Sequence, residues 1–320
     1  MNRINSKEII KKISTFLILA FVFLFFTIAT DNFFAVKNMI NILRQVSILG
    51  ILTAGMTFVI ISGGMDLSVG SQLGLTGVLC AMLISEFGVN DIVSVILAVL
   101  VATAFGVITG LLIVSLNVSA IVITLGMQTV IRGFAYIFSG GIPIYDIPEE
   151  LVFIGQGYIG PIPVPVIIML VIVVIMGFVL HKTYFGRYVY AIGGNVEAAR
   201  LAGVQVNKIL VALYALSGFL AGIAGIILMG RVSSGAPTSG TGTEMEVITA
   251  VIIGGVSING GKGTMVGAFF GALIIGILSN GLTIMNVGQY YQDVITGLVL
   301  ILAVAFDTLI SREKVKKVKA

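Results

Sequence analysis

Few residues of this sequence have the type and spacing that support chemistry. The segment 260–264 (GGKGT) suggests a phosphate-binding loop, because glycines and a lysine cradle phosphates in that motif. The motif needs Ser or Thr directly after Gly-Lys, however, and Gly263 stands there, while Val256 replaces the first glycine. We therefore expect that this chain binds no ATP.

Metal and nucleophilic catalysis also lack the residues they need. His181 is the only histidine, and Cys80, the only cysteine, lies in an apolar run. A single histidine provides no chelating set, and no Ser/His/Asp arrangement can be assembled around it. We expect no metal, no cofactor and no disulfide, with His181 packed at a membrane interface.

Polar side chains inside long apolar stretches are more informative. A charge within a membrane is costly and faces the bundle interior or water. Arg132 lies deepest, and it either pairs with a backbone carbonyl or an acidic side chain, or lines a solute path together with Gln128. Asp293 and Glu246 are candidate partners for charges near the outer helix ends. Further polar residues in such stretches are Arg44, Gln45 and Asn280.

Two glycine-rich segments carry further candidates for a path or gate. In the first, Asp66 or Ser68 can cap the next helix at a cytoplasmic junction, or can take part in gating or in contact with a partner protein. In the second, Thr241 and Glu244 have the spacing of a capping box that starts a helix at the outer face, as do Thr243 and Glu246. This polar mouth could equally contact a solute or a partner protein.

The loop 182–208 contains a short helix with both ends marked. Asn195 is a suitable N-cap, Glu197 and Arg200 have the signs that suit the helix dipole, and Gly203 can adopt the left-handed stop. The residues between are small and apolar, so that something must cover them. A groove of a partner and the inner face of the chain's own bundle both remain open.

The composition requires a lipid environment. Of the 320 residues, 58% are hydrophobic and only 10% are charged. A soluble domain carries roughly 25% charged residues. The basic residues therefore have to be assigned to one side of the membrane or the other before their excess is taken as a sign of nucleic-acid binding. We expect that the chain binds no nucleic acid.

Ten apolar stretches approach the roughly 20 residues of a membrane span. They predict an all-α polytopic protein that forms one transmembrane domain over residues 1–320. Gly254 and Gly255 mark the short eighth stretch as a broken or re-entrant helix. The ten stretches are 13–30, 39–62, 68–86, 93–114, 119–139, 163–182, 209–229, 244–258, 264–284 and 290–309.

The basic residues predict the orientation. Ten spans place 14 of the 18 on one side, in the two tails and in two loops, and that side must be cytoplasmic. Both termini are then cytoplasmic, in the cell membrane. Glycines spaced by four indicate close helix packing, either within one bundle or between subunits. These pairs are Gly106/Gly110, Gly218/Gly222 and Gly267/Gly271.

Three long motifs in order then carry a family resemblance. The loop segment GRYVYAIGGNVEAARLAGVQVNK (186–208) resembles the coupling segment of ribose-type sugar permeases of ATP-binding-cassette importers. GMTFVIISGGMDLSVGS (55–71) and APTSGTGTEMEVITAVIIGGVSINGGKGTMVGA (236–268) resemble two further signatures of that family. The similarity extends over nearly the whole chain.

The resemblance implies a fold, partners and site residues. It implies a permease, not an enzyme, that works with a separate ATPase subunit, an extracytoplasmic sugar-binding protein and a second permease copy. The ATPase contact would comprise Gly193, Gly194, Asn195, Glu197, Ala199, Arg200 and Gly203. The expected substrate is a monosaccharide, with ribose as the first candidate.

Other functions fit less well. An ion-coupled transporter needs acidic residues at mid-membrane, whereas the acidic residues here mostly fall at helix ends or in loops. A membrane enzyme needs a nucleophile, metal or acid–base set, which is missing. A branched-chain amino acid permease is the nearest rival within the importer class, but GGMDLSVGS (63–71) resembles the sugar group.

Overall fold

A computed structural model describes the backbone of residues 6–318 and the side chains of residues 15–305 and of Thr308. The basic residues of both chain tails, on which the predicted orientation largely rests, lie outside the described side chains. The cytoplasmic position of the termini therefore stays a prediction. The tail residues concerned are Arg3, Lys7, Lys11, Lys12, Arg312, Lys314, Lys316, Lys317 and Lys319.

The described chain is a helical bundle with one small hairpin. The helices are α1 (Ser6–Ala29), α2 (Val36–Ile61), α3 (Val69–Ser85), α4 (Asp91–Leu116), α5 (Ala120–Ser139), α6 (Glu149–Gln156), α7 (Val164–Lys182), α8 (Tyr184–Gly194), α9 (Val196–Leu201), α10 (Val206–Val232), α11 (Thr243–Ile253), α12 (Met265–Ile284) and α13 (Gln289–Val318). The antiparallel strands β1 (Tyr158–Ile159) and β2 (Ile162–Pro163) form the hairpin.

A helix lies at each of the ten predicted stretches, but only part of the predicted count is confirmed. Among the described residues, six helices are long and apolar enough to span a membrane, namely α2, α4, α5, α7, α10 and α12. Three more have shorter apolar stretches, in α1, α3 and α13. The eighth stretch becomes α11, which has only 11 residues. The all-α polytopic class is therefore confirmed, and ten spans stay a prediction.

Helix α2 forms the centre of the bundle. From Val46 to Ile61 all its residues are buried, on every side of the helix. A helix that is apolar all round is stable only when other helices surround it. Helices α7, α10, α11 and α12 pack against α2 and provide that cover.

The predicted glycine pairs are packing sites within this chain. A β-carbon at Gly106 or Gly110 of α4 would overlap the backbone of α10 at Tyr214 and Val211. Gly218 and its pair partner on α10 meet α4 in the same way. On α12, Gly267 and Gly271 contact the backbone of α11. Close backbone approach at small residues is the usual basis of helix association in membranes.

The bundle has two distinct ends. We call the end that carries α8, α9 and the last turn of α2 the loop end. The opposite end carries α6 and the β1–β2 hairpin, and we call it the hairpin end. The segment 140–162 contains most of these two elements, because Glu149 and Glu150 suit the first turn of a helix and Gly160 adopts a positive φ in the turn.

The contact between α4 and α10 gives a testable prediction. We expect Gly106→Ala to lower the free energy of unfolding by about 1–3 kcal/mol, because the new methyl group overlaps the Tyr214 carbonyl. Gly133→Ala on α5 is the matched control, since a β-carbon there meets nothing within 4 Å. Denaturant titration in detergent measures both variants. Equal stability of the two would contradict the assigned helix contact.

Candidate functional site

The first candidate segment, 62–68, lies inside the bundle and not at a cytoplasmic junction as predicted. Helix α2 ends at Ile61, and the chain then returns along α10. The Tyr214 hydroxyl donates to the Met65 carbonyl (3.4 Å), and the Ser217 hydroxyl donates to the Asp66 carboxylate (2.7 Å). Because Ser217 is near the middle of α10, helix α3 begins at about half the depth of the bundle.

Asp66 forms the centre of a buried hydrogen-bond network. One carboxylate oxygen accepts from the backbone N–H (3.0 Å) and the hydroxyl (2.6 Å) of Ser68, and the other accepts from Ser217. The Gln72 amide donates to the Ser68 hydroxyl (2.7 Å). Of the two predicted caps for α3, Ser68 is the N-cap residue but makes no side-chain cap bond, whereas Asp66 accepts the Ser68 N–H at the start of the helix. The two residues also hold α3 to α10.

The second candidate segment, 233–242, is a break in the membrane-embedded part of the chain. It follows α10 and runs back along α3, with Gly235 against Gly77 and Gly240 against Gly70. A two-way backbone bridge joins Gly235 to Ile144. Helix α11 starts only where this segment reaches the first turn of α3. The eighth predicted stretch therefore contains a helix of only 11 residues, which ends at Gly254.

The predicted capping box at the start of α11 is wrong. The N-cap residue is Gly242, with φ 82°, and no side chain caps the helix. The Thr241 hydroxyl donates to the Thr238 carbonyl instead (2.8 Å). The pattern fits the rule, but the left-handed glycine shifts the helix start by one residue. The start also lies at mid-depth and not at the outer face.

Arg132, Gln128 and Glu244 come together at this break. The Arg132 guanidinium donates to the carbonyls of Pro237 and Ser239, the latter at 2.7 Å. The Gln128 amide donates to one oxygen of the buried Glu244 carboxylate (2.8 Å), whose other oxygen has no hydrogen-bond partner. Arg132 therefore has the backbone partners that were one of its two predicted alternatives. The sequence suggested Asp293 and Glu246 as partners for charged side chains near the outer helix ends. In the structure, Asp293 accepts a hydrogen bond from the Gln289 amide instead (3.0 Å).

The two breaks meet at one level of the bundle. Gly70, four residues after Asp66, contacts both Gly240 and the Glu244 carboxylate. Irregular backbone at membrane depth is tolerated where it is buried in protein or lines a water-filled space. Thr238 and Thr241 are exposed at this level, although lipid offers their hydroxyls no partner. The arrangement can hold a polar solute by hydrogen bonds, and the described residues include no acidic, histidine or cysteine cluster that could bind a metal.

The predicted short helix in the loop 182–208 is present, and its ends are as expected. The Asn195 side chain accepts from the Ala198 N–H (2.9 Å), and Gly203 adopts φ 84°. Glu197 and Arg200 also form an ion pair with one another (3.2 Å). The helix, α9, has six residues and follows the longer α8, which was not predicted.

One face of α9 is packed on the bundle and the other is open. Ala199 is buried with Ile192 and Val206 in a small apolar cluster. Leu201 is 90% exposed, and Val196 is also exposed. The chain's own bundle thus covers only part of the helix, and an isolated exposed leucine beside a capped helix is a suitable contact for a partner protein.

Glycines connect this loop to the loop that follows α11. A β-carbon at Gly193 would overlap the Ile61 carbonyl at the end of α2, and the Gly261 N–H donates to the same carbonyl (2.8 Å). The Tyr190 hydroxyl donates to the Gly263 carbonyl (2.7 Å), and burial raises its pKa, so that it stays a donor. The GGKGT segment is therefore a packing element. A β-carbon at Gly194 would meet nothing within 4 Å, although the backbone of Gly194 lies beside Gly261.

Sequence reasoning missed several residues of both sites. Ser217 and Gln72 are polar residues inside predicted spans, and this signal alone could have identified them. Tyr190 has no local signal for its role, because its partner Gly263 is 73 residues away in the chain. Asp66 lies in a loop and Glu244 at a helix end, as the sequence indicated, but the structure places both of these positions at mid-depth.

Comparison with known proteins identifies the family. Residues 38–304 match the family described as "Branched-chain amino acid transport system / permease component". The ribose import permease protein RbsC of Escherichia coli (strain K12) is 42% identical over 282 residues, which cover 87% of this chain and 88% of that protein. The protein of the same name from Bacillus subtilis (strain 168) is 41% identical over 307 residues, 95% of each chain.

A third relative is named for a different sugar. The fructose import permease protein FrcC of Rhizobium meliloti is 38% identical over 296 residues, which cover 90% of this chain and 82% of that protein. No solved structure is significantly similar to the chain. The family match covers most of the sequence and includes both breaks and the α8–α9 segment. The chain therefore belongs to this family of transport-system permease components.

Proposed function

We propose that this chain is the membrane-spanning subunit of an ATP-binding-cassette importer for a monosaccharide, with ribose as the first candidate. The observation that carries the proposal is the 41–42% identity to ribose import permeases over 87–95% of the chain. Relatives named for arabinose and fructose support a sugar importer more broadly. The family description mentions branched-chain amino acids, but these relatives favour a sugar.

The partners follow from the same assignment. A permease without a nucleotide site takes its energy from a separate ATPase subunit, and an extracytoplasmic binding protein delivers the sugar. A second copy of this chain completes the path, in a homodimer. Binding and hydrolysis of ATP by the ATPase pair would favour different permease conformations, so that the solute site opens to one side and then to the other. The complex lies in the cytoplasmic membrane, with the loop end facing the cytoplasm.

We assign ATPase contact to the α8–α9 segment. Its support is the exposed Leu201, the capped helix α9 and the glycine contact of Gly193 with the end of α2. Because Gly193 of α8 contacts the end of α2, a movement of the α8–α9 segment would act directly on this central helix. The contact residues are those expected from the sequence, Gly193, Gly194, Asn195, Glu197, Ala199, Arg200 and Gly203, together with Leu201.

We assign the gate to the level where the two breaks meet. Discontinuous helices at mid-membrane are typical of transporter solute sites, since their free backbone groups and polar side chains can bind solute. Arg132 holds the segment 233–242 in place through two carbonyls, and Glu244 has one oxygen free for a new donor. The residues of this gate are Asp66, Ser68, Gln128, Arg132, Thr241 and Glu244.

Uptake of labelled sugars tests the overall function. Vesicles that contain this chain with its ATPase subunit and sugar-binding protein should take up a labelled pentose only when ATP is present at the ATPase face. A protonophore should leave this uptake unchanged. Uptake that needs no ATP but collapses with the proton gradient would instead indicate an ion-coupled transporter, for which Asp66 and Glu244 would be the acidic sites.

Substitutions on α9 test the coupling contact. We expect Arg200→Glu and Leu201→Asp each to weaken association with the ATPase subunit by about tenfold or more and to abolish uptake, because they place a negative charge in the contact. Co-purification of the ATPase and uptake are the measurements. Glu86→Arg, a charge reversal at the hairpin end, is the control for membrane insertion and should bind the ATPase normally. Normal uptake by Arg200→Glu would exclude the docking role.

Substitutions at the break test the gate. Arg132→Met removes two charged hydrogen bonds, each of which contributes about 1.5–3 kcal/mol. Glu244→Gln keeps the shape of the side chain and removes its charge. We expect each to lower uptake by about tenfold or more while ATPase association stays normal. Thr129→Ala, exposed on the same helix as Arg132, is the control. Wild-type uptake by both variants would remove these residues from the gate.

A further inference from the structure

A cavity of about 520 Å³ opens at the hairpin end, away from both sites described above. It lies between the first turns of α2, strand β1 of the hairpin and Ile284, the last residue of α12. Lys37, Arg44 and Tyr158 provide its cationic and aromatic groups. More of its exposed wall is nevertheless apolar than polar, so that the cavity offers an occupant both charge and apolar surface.

Two guanidinium groups are held at this cavity without an acidic partner. Arg44 donates to the Gln156 carbonyl and lies over the Tyr158 ring, 4.7 Å from its centroid, but its buried Nε has no hydrogen-bond partner. Arg231 donates to the side-chain oxygen of Asn41, a residue of the cavity wall (3.1 Å). Neither guanidinium forms an ion pair with a carboxylate of the described residues. The two positive charges are close enough to repel one another, and an anion bound beside both would relieve this repulsion.

The position of Arg44 along α2 makes its charge costly within a membrane. It lies eight residues after Val36, where α2 begins, which is about 12 Å along the helix. Helix side chains lean toward the N-terminus, so that this side chain reaches back toward the hairpin end and the membrane surface.

A third cation lies at the same end of α2. Lys37 is exposed in the first turn, where the helix dipole disfavours a positive charge and no acidic residue is present. Asp31 precedes this turn in the chain, but it forms no ion pair with a described cation. The three cations therefore lack a compensating anion among the described residues.

Exposed apolar side chains adjoin the cavity on each element that lines it. They are Val36 on α2 (76% exposed), Ile159 on β1 (58%) and Met285 after α12 (41%), and each directly follows a residue of the wall. A soluble anion would compensate the cations but leave these side chains without an apolar partner. A lipid matches both features, because its headgroup brings the negative charge and its acyl chains cover apolar side chains.

We propose that this cavity binds the phosphate of a lipid with net negative charge, of the phosphatidylglycerol type, from the surrounding leaflet. Arg44 donates charge-assisted hydrogen bonds to the phosphate oxygens, and Arg231 and Lys37 add attraction. A zwitterionic lipid carries a positive group beside its phosphate, which these cations repel, so that the site selects for net charge. The proposal needs only a membrane-embedded chain and does not depend on the importer function.

Native mass spectrometry of the intact chain in detergent tests the site, because it resolves single bound lipids. Phosphatidylglycerol and phosphatidylcholine with the same acyl chains are titrated separately, and the Kd of the first bound lipid is measured. We expect the wild-type chain to bind phosphatidylglycerol about tenfold or more tightly than phosphatidylcholine. Arg44→Gln with Arg231→Gln should raise the Kd of phosphatidylglycerol by about tenfold or more and leave that of phosphatidylcholine unchanged.

Two further variants separate lipid binding from folding and from general charge. Lys37→Gln changes an exposed side chain, and it should raise the Kd of phosphatidylglycerol by about two- to fivefold. Arg187→Gln is the matched control, because Arg187 lies over the Tyr184 ring at the loop end (4.1 Å from its centroid), far from the cavity. This control should bind phosphatidylglycerol with the wild-type Kd.

The outcomes distinguish a lipid from the other possible anions. Equal affinity of the wild-type chain for the two lipids overturns the site, as does an unchanged Kd of phosphatidylglycerol in both the double variant and Lys37→Gln. An equal loss of affinity in Arg187→Gln would show general charge attraction and would also contradict the site.

Two competing occupants are tested directly. Glycerol phosphate has the headgroup chemistry without acyl chains, and it should bind at least about tenfold more weakly than phosphatidylglycerol. If it binds as tightly as the whole lipid, the cavity takes a soluble phosphate and the proposal is wrong. In the assembled transporter, a loss of affinity for the sugar-binding protein in the double variant, with an unchanged lipid Kd, would assign the cations to a protein contact and likewise overturn the proposal.

Discussion

Every backbone N–H and C=O inside a membrane must find a partner within the protein, and this chain leaves helical geometry twice at mid-depth. The partners are few and specific. Asp66 accepts from three donors around the start of α3, and Arg132 binds two carbonyls of the segment before α11. The segments themselves touch at Gly70 and Gly240, where side chains would separate them. The two buried carboxylates of the described residues, Asp66 and Glu244, thus lie where regular structure stops, so that the most costly region of the fold is also the one with free hydrogen-bonding capacity.

The loop end and the mid-depth level are joined by short stretches of chain. The segment 62–68 leads from the end of α2 to Asp66, and α11 leads from the Glu244 level to the loop that contains Gly261. Both stretches meet at the Ile61 carbonyl, against which Gly193 of α8 packs. A displacement of α8 and α9 by a partner would therefore act on both breaks together. This common connection gives a physical basis for coupling between the assigned ATPase contact and the assigned gate.

The sequence predicted those features that depend on neighbours in the chain. Hydropathy located a helix at each of the ten stretches, and Asn195 and Gly203 marked the ends of α9 because caps act within a few residues. The depth in the bundle at which α3 and α11 begin could not be predicted, because both helices are apolar like the others. Only their contacts with α10 and α5 show where they begin. Patterns for caps at Ser68 and Thr243 fit the local rule, but the Ser68 hydroxyl donates to Asp66 instead, and the left-handed Gly242 takes the N-cap position of α11. Arg132 pairs with carbonyls more than 100 residues away, which no local pattern encodes.

The junction of Gly193, Gly261 and Ile61 consists of main chain against main chain. Side chains between two elements can change rotamer and absorb a small shift, whereas backbone groups in direct contact have no such freedom. Surface connections usually accept inserted residues at little thermodynamic cost. The connections after α2 and after α11 meet here as short parts of a stiff linkage, so that geometry fixes their lengths. A residue added to either would uncouple the two ends of the protein without unfolding them.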